Sequence, residues 1–429
     1  MSTLAATSTV SSLPIGRKKI SAKTIVAISI GNALEWFDIV VYGFLALTIA
    51  KLFFPAGDDT VSLLLTLGTF GVSFFMRPLG SIVLGAYADR AGRKKALTLS
   101  IALMMIGTFL IAIAPTYATI GVAAPALLVT ARLIQGFSAG GEFGSATAFL
   151  AEQDPAKRGL YSSWQFASQG LTTILASGFG VLLNSALDAD QLASWGWRTP
   201  FFFGLLIGPV AIYIRRQLAE TDEFRQSGEH RSPLRDTMAS QKARVLASLG
   251  LVILGTIAAY TTLFMPSFAV RQLGIAASYG FAATLLMGII QLVFVPVFGA
   301  LSDRIGRLPI MTAAAALILL GIVPLFILLT RSPGVGTLFA VQSCIALATA
   351  AYAGPMSAAM SELFPTSTRG TGLSISYSFG VTIFGGFAPF IIAWLIAQTG
   401  SNLSPSFYVA FGAVVSLLAL FSARKLGLK

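Results

Sequence analysis

Cysteine and histidine are almost missing from this chain of 429 residues, which holds one of each. A lone Cys344 excludes an internal disulfide. The lone His230 falls in a polar central stretch and is read as facing solvent, so no histidine serves the apolar segments as a proton acceptor. Charge is also scarce: 11% of the residues are charged, against roughly 25% in soluble domains. Strict apolar–polar alternation is absent, which argues against a membrane β-barrel. No nucleophile–base pair, phosphate-cradling glycine loop or cluster of metal ligands stands out. An enzyme, a resident cofactor and a bound metal are therefore not expected.

Hydrophobic residues make up 55% of the chain, and they fall in long runs. About 20 apolar residues cross a hydrocarbon core as a helix. Twelve such runs can be marked, near 24–50, 62–87, 96–115, 122–150, 160–185 and 199–216, then 247–270, 279–301, 309–330, 337–362, 371–398 and 406–423. The expected fold class is an all-α membrane protein of twelve transmembrane helices in two six-helix bundles. The bundles cover residues 1–216 and 247–429, with a cytoplasmic linker at 217–246. Residues 1–23 are rich in Ser and Thr and then basic, without an apolar stretch ending at a cleavage site, so the first span is expected to be retained.

The formal charge of +12 is not a nucleic-acid signal, because of where it sits. Of 29 Lys and Arg residues, 23 fall in the N-terminal segment, the even-to-odd loops, the central stretch and the C-terminal segment. Four lie on the other side (Lys51, Arg198, Arg271, Arg331), and Arg77 and Arg132 lie inside spans. This bias sets both termini in the cytoplasm.

A charged phrase occurs twice. Gly85-Ala-Tyr-Ala-Asp-Arg-Ala-Gly-Arg93 returns as Gly299-Ala-Leu-Ser-Asp-Arg-Ile-Gly-Arg307, and Arg158-Gly159 is echoed by Arg369-Gly370. Two echoes at nearly one offset indicate a duplicated unit, the plan of many secondary transporters, whose site lies between the copies. Asp89, Arg93, Asp303 and Arg307 are gating candidates, since ion pairs at an inner mouth can form when it closes and break when it opens.

Charges inside spans are costly in lipid and mark a polar pathway. The first span carries Gly31, Glu35, Asp38 and Tyr42 at helical spacing. The second carries Arg77, and the fourth carries Arg132, Gln135 and Glu142. A carboxylate whose arginine partner is withdrawn by substrate is a workable proton carrier, which makes Glu35, Asp38 and Glu142 the candidates. Guanidinium forks match carboxylates with paired hydrogen bonds, so Arg77 and Arg132 point to an anionic substrate, with Tyr42, Gln135, Asn32 and Tyr377 assisting. The second half offers neutral groups instead: Tyr260, Gln291, Gln342, Tyr352, Ser357 and Tyr377. Gly136, Gly140 and Gly144, four apart, suit close helix packing. Trp195, Trp197 and Phe201–Phe203 read as an interfacial aromatic belt.

Several motifs together resemble the major facilitator superfamily. Gly85–Lys95 and its copy at 299–309 are similar to the loops after the second and eighth helices of that family, and Arg132–Glu142 is similar to its fourth-helix signature. Gly31–Asp38, Met76–Gly80, Trp195–Phe201 and Glu220–Phe224 resemble the metabolite:proton symporter branch. Within it, Ile134–Gly141, Trp164-Gln165, Trp195–Phe202 and Phe384–Gly386 are similar to the citrate and tricarboxylate carriers. The resemblance implies alternating access by two six-helix domains in a bacterial inner membrane, working as a monomer. It also implies uptake of a small carboxylate with a co-transported proton, or with sodium bound by the same acids. The alternative in the same branch is a proline or betaine symporter; the short segment after the twelfth span counts against it, since some osmosensing members carry a coiled coil there.

Overall fold

The computed structural model describes residues 32–33, 36–91, 93–140, 142–152, 154–217, 240–366 and 368–428. Among them every regular element is a helix, with no strand. The first half holds α1 (Trp36–Phe44 and Ala46–Phe53), α2 (Asp59–Ala91), α3 (Arg93–Ile113), α4 (Ala123–Ser138 and Glu142–Glu152), α5 (Arg158–Ala186) and α6 (Thr199–Gln217). The second half holds α7 (Lys242–Leu273), α8 (Ala277–Ile305), α9 (Arg307–Arg331), α10 (Val335–Glu362), α11 (Arg369–Thr399) and α12 (Ser404–Lys425). Among the described residues eight helices are each long and apolar enough to cross a membrane, and the two parts of α1 together make a ninth. α3, α4 and α6 lie where the apolar runs place them.

The duplicated phrase marks corresponding turns. α3 starts at Arg93 and α9 at Arg307, while α5 starts at Arg158 and α11 at Arg369. Gly306 ends α8 at φ 101°, a backbone conformation that excludes most side chains, which is why a glycine stands in the phrase there.

Three interruptions were not expected from the apolar runs. α1 bends by 70° at Leu45, two residues after Gly43, where a Cβ would collide with the Leu263 side chain of α7. α4 breaks after Ser138, whose hydroxyl turns back to the Gln135 carbonyl (2.7 Å) while Ser100 donates to the Ser138 carbonyl (2.7 Å). α11 widens into a π-helical stretch at Val381–Gly386. Tyr408 donates to the Phe384 carbonyl there (3.2 Å), and Thr382 donates to the Phe74 carbonyl of α2 (3.1 Å). The widening brings Gly385 against the Tyr260 ring and Gly386 against the Phe74 ring, leaving 2.6 Å between each ring and any added Cβ.

Helices approach closely because glycines line the contacts. A Cβ at Gly136 would collide with the Ser73 carbonyl, and one at Gly140 with the Arg77 carbonyl, so α4 rides directly on α2. Gly144 instead meets Ser374 and Gly370 of α11. Between the halves, a Cβ on Gly170 of α5 would lie 2.8 Å from the Gly288 carbonyl of α8, and one on Gly288 would lie 2.9 Å from the Gly170 carbonyl. The aromatic belt needs correcting. Trp195 and Phe202 are exposed, but Trp197 and Phe201 are fully buried, with Trp197 edge-on to Phe53 at 5.3 Å. They pack the junction of α1 and α6.

Candidate functional site

The two halves line a central cavity whose empty space, open solvent included, is about 1010 Å³. α1 contributes Trp36, Val40 and Phe44, and α5 contributes Phe166, Gln169, Thr172 and Thr173. The second half contributes Thr256, Tyr260, Gln291, Tyr352 and Tyr377. With aliphatic residues such as Leu254, Leu263, Val295 and Met356 between them, the wall is mainly apolar, set with aromatic rings and a few hydroxyl and amide groups, and its polar groups are neutral. Of the neutral residues marked in the second half, Gln342 lines a different pocket inside the second bundle, and Ser357 is buried in the packing.

A side pocket adjoins this cavity. It is lined by Asn32, Trp36, Arg77, Ala139, Gly140, Phe143, Tyr377 and Ser378. Trp36 and Tyr377 line both spaces, so they form the wall between them. The Arg77 guanidinium carbon stands 4.4 Å from the Trp36 ring centroid and 4.5 Å from that of Phe74, and only 4% of the residue is exposed. Cation–π contacts of this kind hold a desolvated cation without consuming its hydrogen-bonding fork. Tyr377 stacks on Phe143 with centroids 3.3 Å apart. Asn32, ahead of α1, donates to Ser168 (2.7 Å) and accepts from Gln165 (3.0 Å) of α5.

Arg132 and Asp38 lie one layer further in. Facing α2, Arg132 donates to Ser73 (3.3 Å), and on its own helix it donates to Gln135 Oε1 (2.9 Å). Its guanidinium carbon sits 4.5 Å from the Tyr42 ring and 5.2 Å from the Phe70 ring. Gln135 Nε2 donates to the Thr108 hydroxyl of α3 (3.0 Å), and Thr108 donates to Asp38 Oδ2. Asp38 and Tyr42 thus face the interior of the first bundle, while the cavity side of α1 is the stripe Trp36–Val40–Phe44. Glu35 lies outside the described residues, as does the side chain of Glu142.

At both ends of the cavity, contacts join the two halves. At the end carrying the duplicated loops, the Asp303 carboxylate of α8 accepts from the Gly159 and Leu160 backbone N–H groups at the start of α5 (2.8 and 3.0 Å). A carboxylate there suits the positive end of the helix dipole. Asp303 also pairs with Arg307 (2.8 Å), which reaches Glu362 (3.2 Å). Arg158 faces Glu362 at 3.6 Å, and Arg369 pairs with Glu152 at 2.7 Å. The side chains of Asp89 and Arg93 lie outside what is described. At the opposite end, Arg271 of α7 donates to the Asp59 carbonyl and to the Thr60 hydroxyl, each at 3.0 Å. Just before α2, the N–H groups of Val61 and Thr60 hold the Asp58 carboxyl below its usual range.

Sequence reasoning missed Thr108, Ser73 and Trp36. A lone hydroxyl in an apolar run, such as Thr108, carries no signal until its neighbours are known. Arg158 and Arg369 stand in the sequence only as a second echo, yet with Glu362 and Glu152 they make the cross-half ion pairs. In the described residues no group of His, Cys, Asp and Glu could hold a metal ion.

The sequence pattern of the Major Facilitator Superfamily matches residues 28–328 and 248–427. The chain belongs to the Major Facilitator Superfamily. It is a multi-pass membrane transporter of that superfamily, not an enzyme. A citrate-proton symporter of Klebsiella pneumoniae is 40% identical over 400 residues, covering 92% of this chain and 90% of that protein. A proline/betaine transporter of Salmonella typhimurium is 36% identical over 418 residues, covering 94% and 83%. Among superfamily folds, the crystal structure of a D-xylose-proton symporter superposes with a TM-score of 0.73 at 19% identity, covering 92% of this chain and 96% of that one.

Proposed function

We propose that this superfamily member imports a di- or tricarboxylate such as citrate together with a proton, by alternating access across a bacterial inner membrane. One observation carries the reading: a buried guanidinium, Arg77, waits in a side pocket divided from the central cavity by Trp36 and Tyr377. The 40% identical citrate-proton symporter supports the substrate class. A carboxylate that reaches Arg77 exchanges two cation–π contacts, each about 0.5–2 kcal/mol, for a stronger bidentate ion pair. The rest of the anion stays against Gln169, Gln291 and the tyrosine hydroxyls of the cavity wall.

The proton goes to Asp38, with Glu35 and Glu142 as the other candidate acids. Arg132 and Asp38 share one hydrogen-bonded cluster through Gln135 and Thr108. Neutralising Asp38 leaves Arg132 uncompensated and raises the positive field felt by an anion near Arg77. By linkage, the bound anion favours the proton in return. Residues 1–216 and 247–429 then rock about the loaded cavity, with 217–246 joining them on the cytoplasmic side. The cross-half ion pairs around Asp303, Arg307, Glu362 and Arg369 break as the inner mouth opens, and Asp89 and Arg93 belong to the same gate. One chain supplies both seams, which supports action as a monomer.

The test is uptake of labelled citrate into proteoliposomes under an imposed pH gradient. Arg77→Ala is expected to abolish uptake while the purified protein melts as wild type does. Uptake unchanged in Arg77→Ala sinks the reading, and uptake driven by a sodium gradient alone reassigns the coupling ion. A proline/betaine symporter is the second reading. It is favoured by the 36% identical relative and by the aromatic wall of Trp36, Phe166, Tyr260 and Tyr377, which suits a quaternary ammonium. Competition of citrate uptake by excess betaine, and uptake of labelled proline, separate the two.

A further inference from the structure

The Thr108 hydroxyl sits where three groups meet. It donates to Asp38 Oδ2, lies 3.0 Å from the Met104 carbonyl of its own helix, and accepts from Gln135 Nε2 at 3.0 Å. Arg132 can only donate, so Gln135 must offer it the amide oxygen, which turns the amide nitrogen toward Thr108. That bond occupies one lone pair of the hydroxyl. A hydroxyl has a single proton, and here two acceptors compete for it. An ionised Asp38 can only accept, so the proton turns to Oδ2. When Oδ2 takes a proton it becomes the donor: Thr108 accepts it on its second lone pair and turns its own proton to the Met104 carbonyl. Every heavy atom keeps its place in both arrangements.

We propose that Thr108 is a positioning residue that reads the protonation of Asp38 by reversing this one hydrogen bond, and that Gly204 of α6 keeps the carboxyl in register for it. The inference rests on Asp38 as the proton carrier of the function proposed above. Gly204 enters because a Cβ there would collide with Asp38 Oδ1, an atom with no hydrogen-bond partner among the described residues. Among the described residues, Thr108 from α3 and Gly204 from α6 face Asp38. Arg132 of α4 acts through Gln135 and is the charge nearest in this network. On α1 itself, Tyr42 lies one turn on and Glu35 lies outside the described residues.

The test is infrared titration of the reconstituted full-length protein, following the carboxylic-acid C=O band that is lost in Asp38→Asn. Thr108→Val keeps the side-chain shape and removes the donor that steadies the ionised form. Its band midpoint is expected to move to more alkaline pH by up to about one unit, the difference between a hydrogen bond to the charged carboxylate and the reversed one to its neutral form. Thr108→Ser should restore the wild-type midpoint, and Gly204→Ala should shift the band frequency. A Thr108→Val midpoint equal to wild type overturns the proposal, even if transport is slower; should that variant fail to fold, Thr108→Ala carries the same expectation. Failure of the underlying reading looks different: Asp38→Asn would then keep proton-driven citrate uptake with an unchanged pH profile.

Discussion

Removing the Asp303 carboxylate is expected to spring the closed end that carries the duplicated loops. Asp303 makes two bonds between the halves, both from backbone N–H groups at the start of α5. Its pair with Arg307 lies within one half, and Arg307 keeps Glu362 when Asp303 is lost. Hydrogen bonds to a charged group are worth about 1.5–3 kcal/mol each, and two on one carboxylate do not add fully. A conservative loss of about 2 kcal/mol shifts the open-to-closed ratio at that end by about 30-fold. The shift can be read with a single cysteine at the cavity-lining Thr173 in a Cys344→Ser background. Labelling by a membrane-impermeant maleimide, applied from the side of these loops, should speed up about 30-fold in Asp303→Ala. Asp303→Asn should fall between, because the amide oxygen still accepts one N–H. An Asp303→Ala rate equal to that of the parent would refute the assignment of this carboxylate to the gate.

Two further expectations concern stability. Gly136→Val should lower the melting temperature markedly, since the new Cβ meets the Ser73 carbonyl and α4 must part from α2; overpacking of this kind costs about 1–3 kcal/mol. Gly321→Ala, which meets nothing within 4 Å, should be neutral or slightly stabilising, and equal melting of both variants would contradict the packing account. At the opposite end, Asp58 is held below its usual pKa by the N–H groups of Val61 and Thr60. A depressed carboxylate contributes stability above the unfolded value and loses it as pH falls through the folded one. The melting difference between wild type and Asp58→Ala should therefore close in acid, and a constant difference from neutral pH down would count against this cap.

Span positions were legible because a membrane helix advertises itself by length: the run near 309–330 is α9 at Arg307–Arg331, and that near 337–362 is α10 at Val335–Glu362. The breaks were not legible. The bend at Leu45 and the π-stretch at Val381–Gly386 answer to partners from other helices, Leu263 in one case and Phe74 and Tyr260 in the other. The same limit applies to the polar cluster. Helical spacing placed Asp38 and Tyr42 on one stripe, read as facing the polar pathway, whereas both join the cluster of Thr108 and Arg132 inside the first bundle. Trp36, one helical turn from neither in the pattern of charges, carried no sign that it would share a wall with Tyr377. Arg369 was visible as a charge at a repeated turn, but its pairing with Glu152 needs the two halves side by side.

The facing pair Gly170 and Gly288 bears on how such a machine can move at all. Where main chain rests on main chain, with only the Ile174 side chain close beside Gly288, little has to be pulled past a neighbour at this point when one half tilts against the other. A single methyl at either position would act as a ratchet tooth. The smoothness of this joint, as much as the chemistry within the chamber, restricts what those two positions can hold.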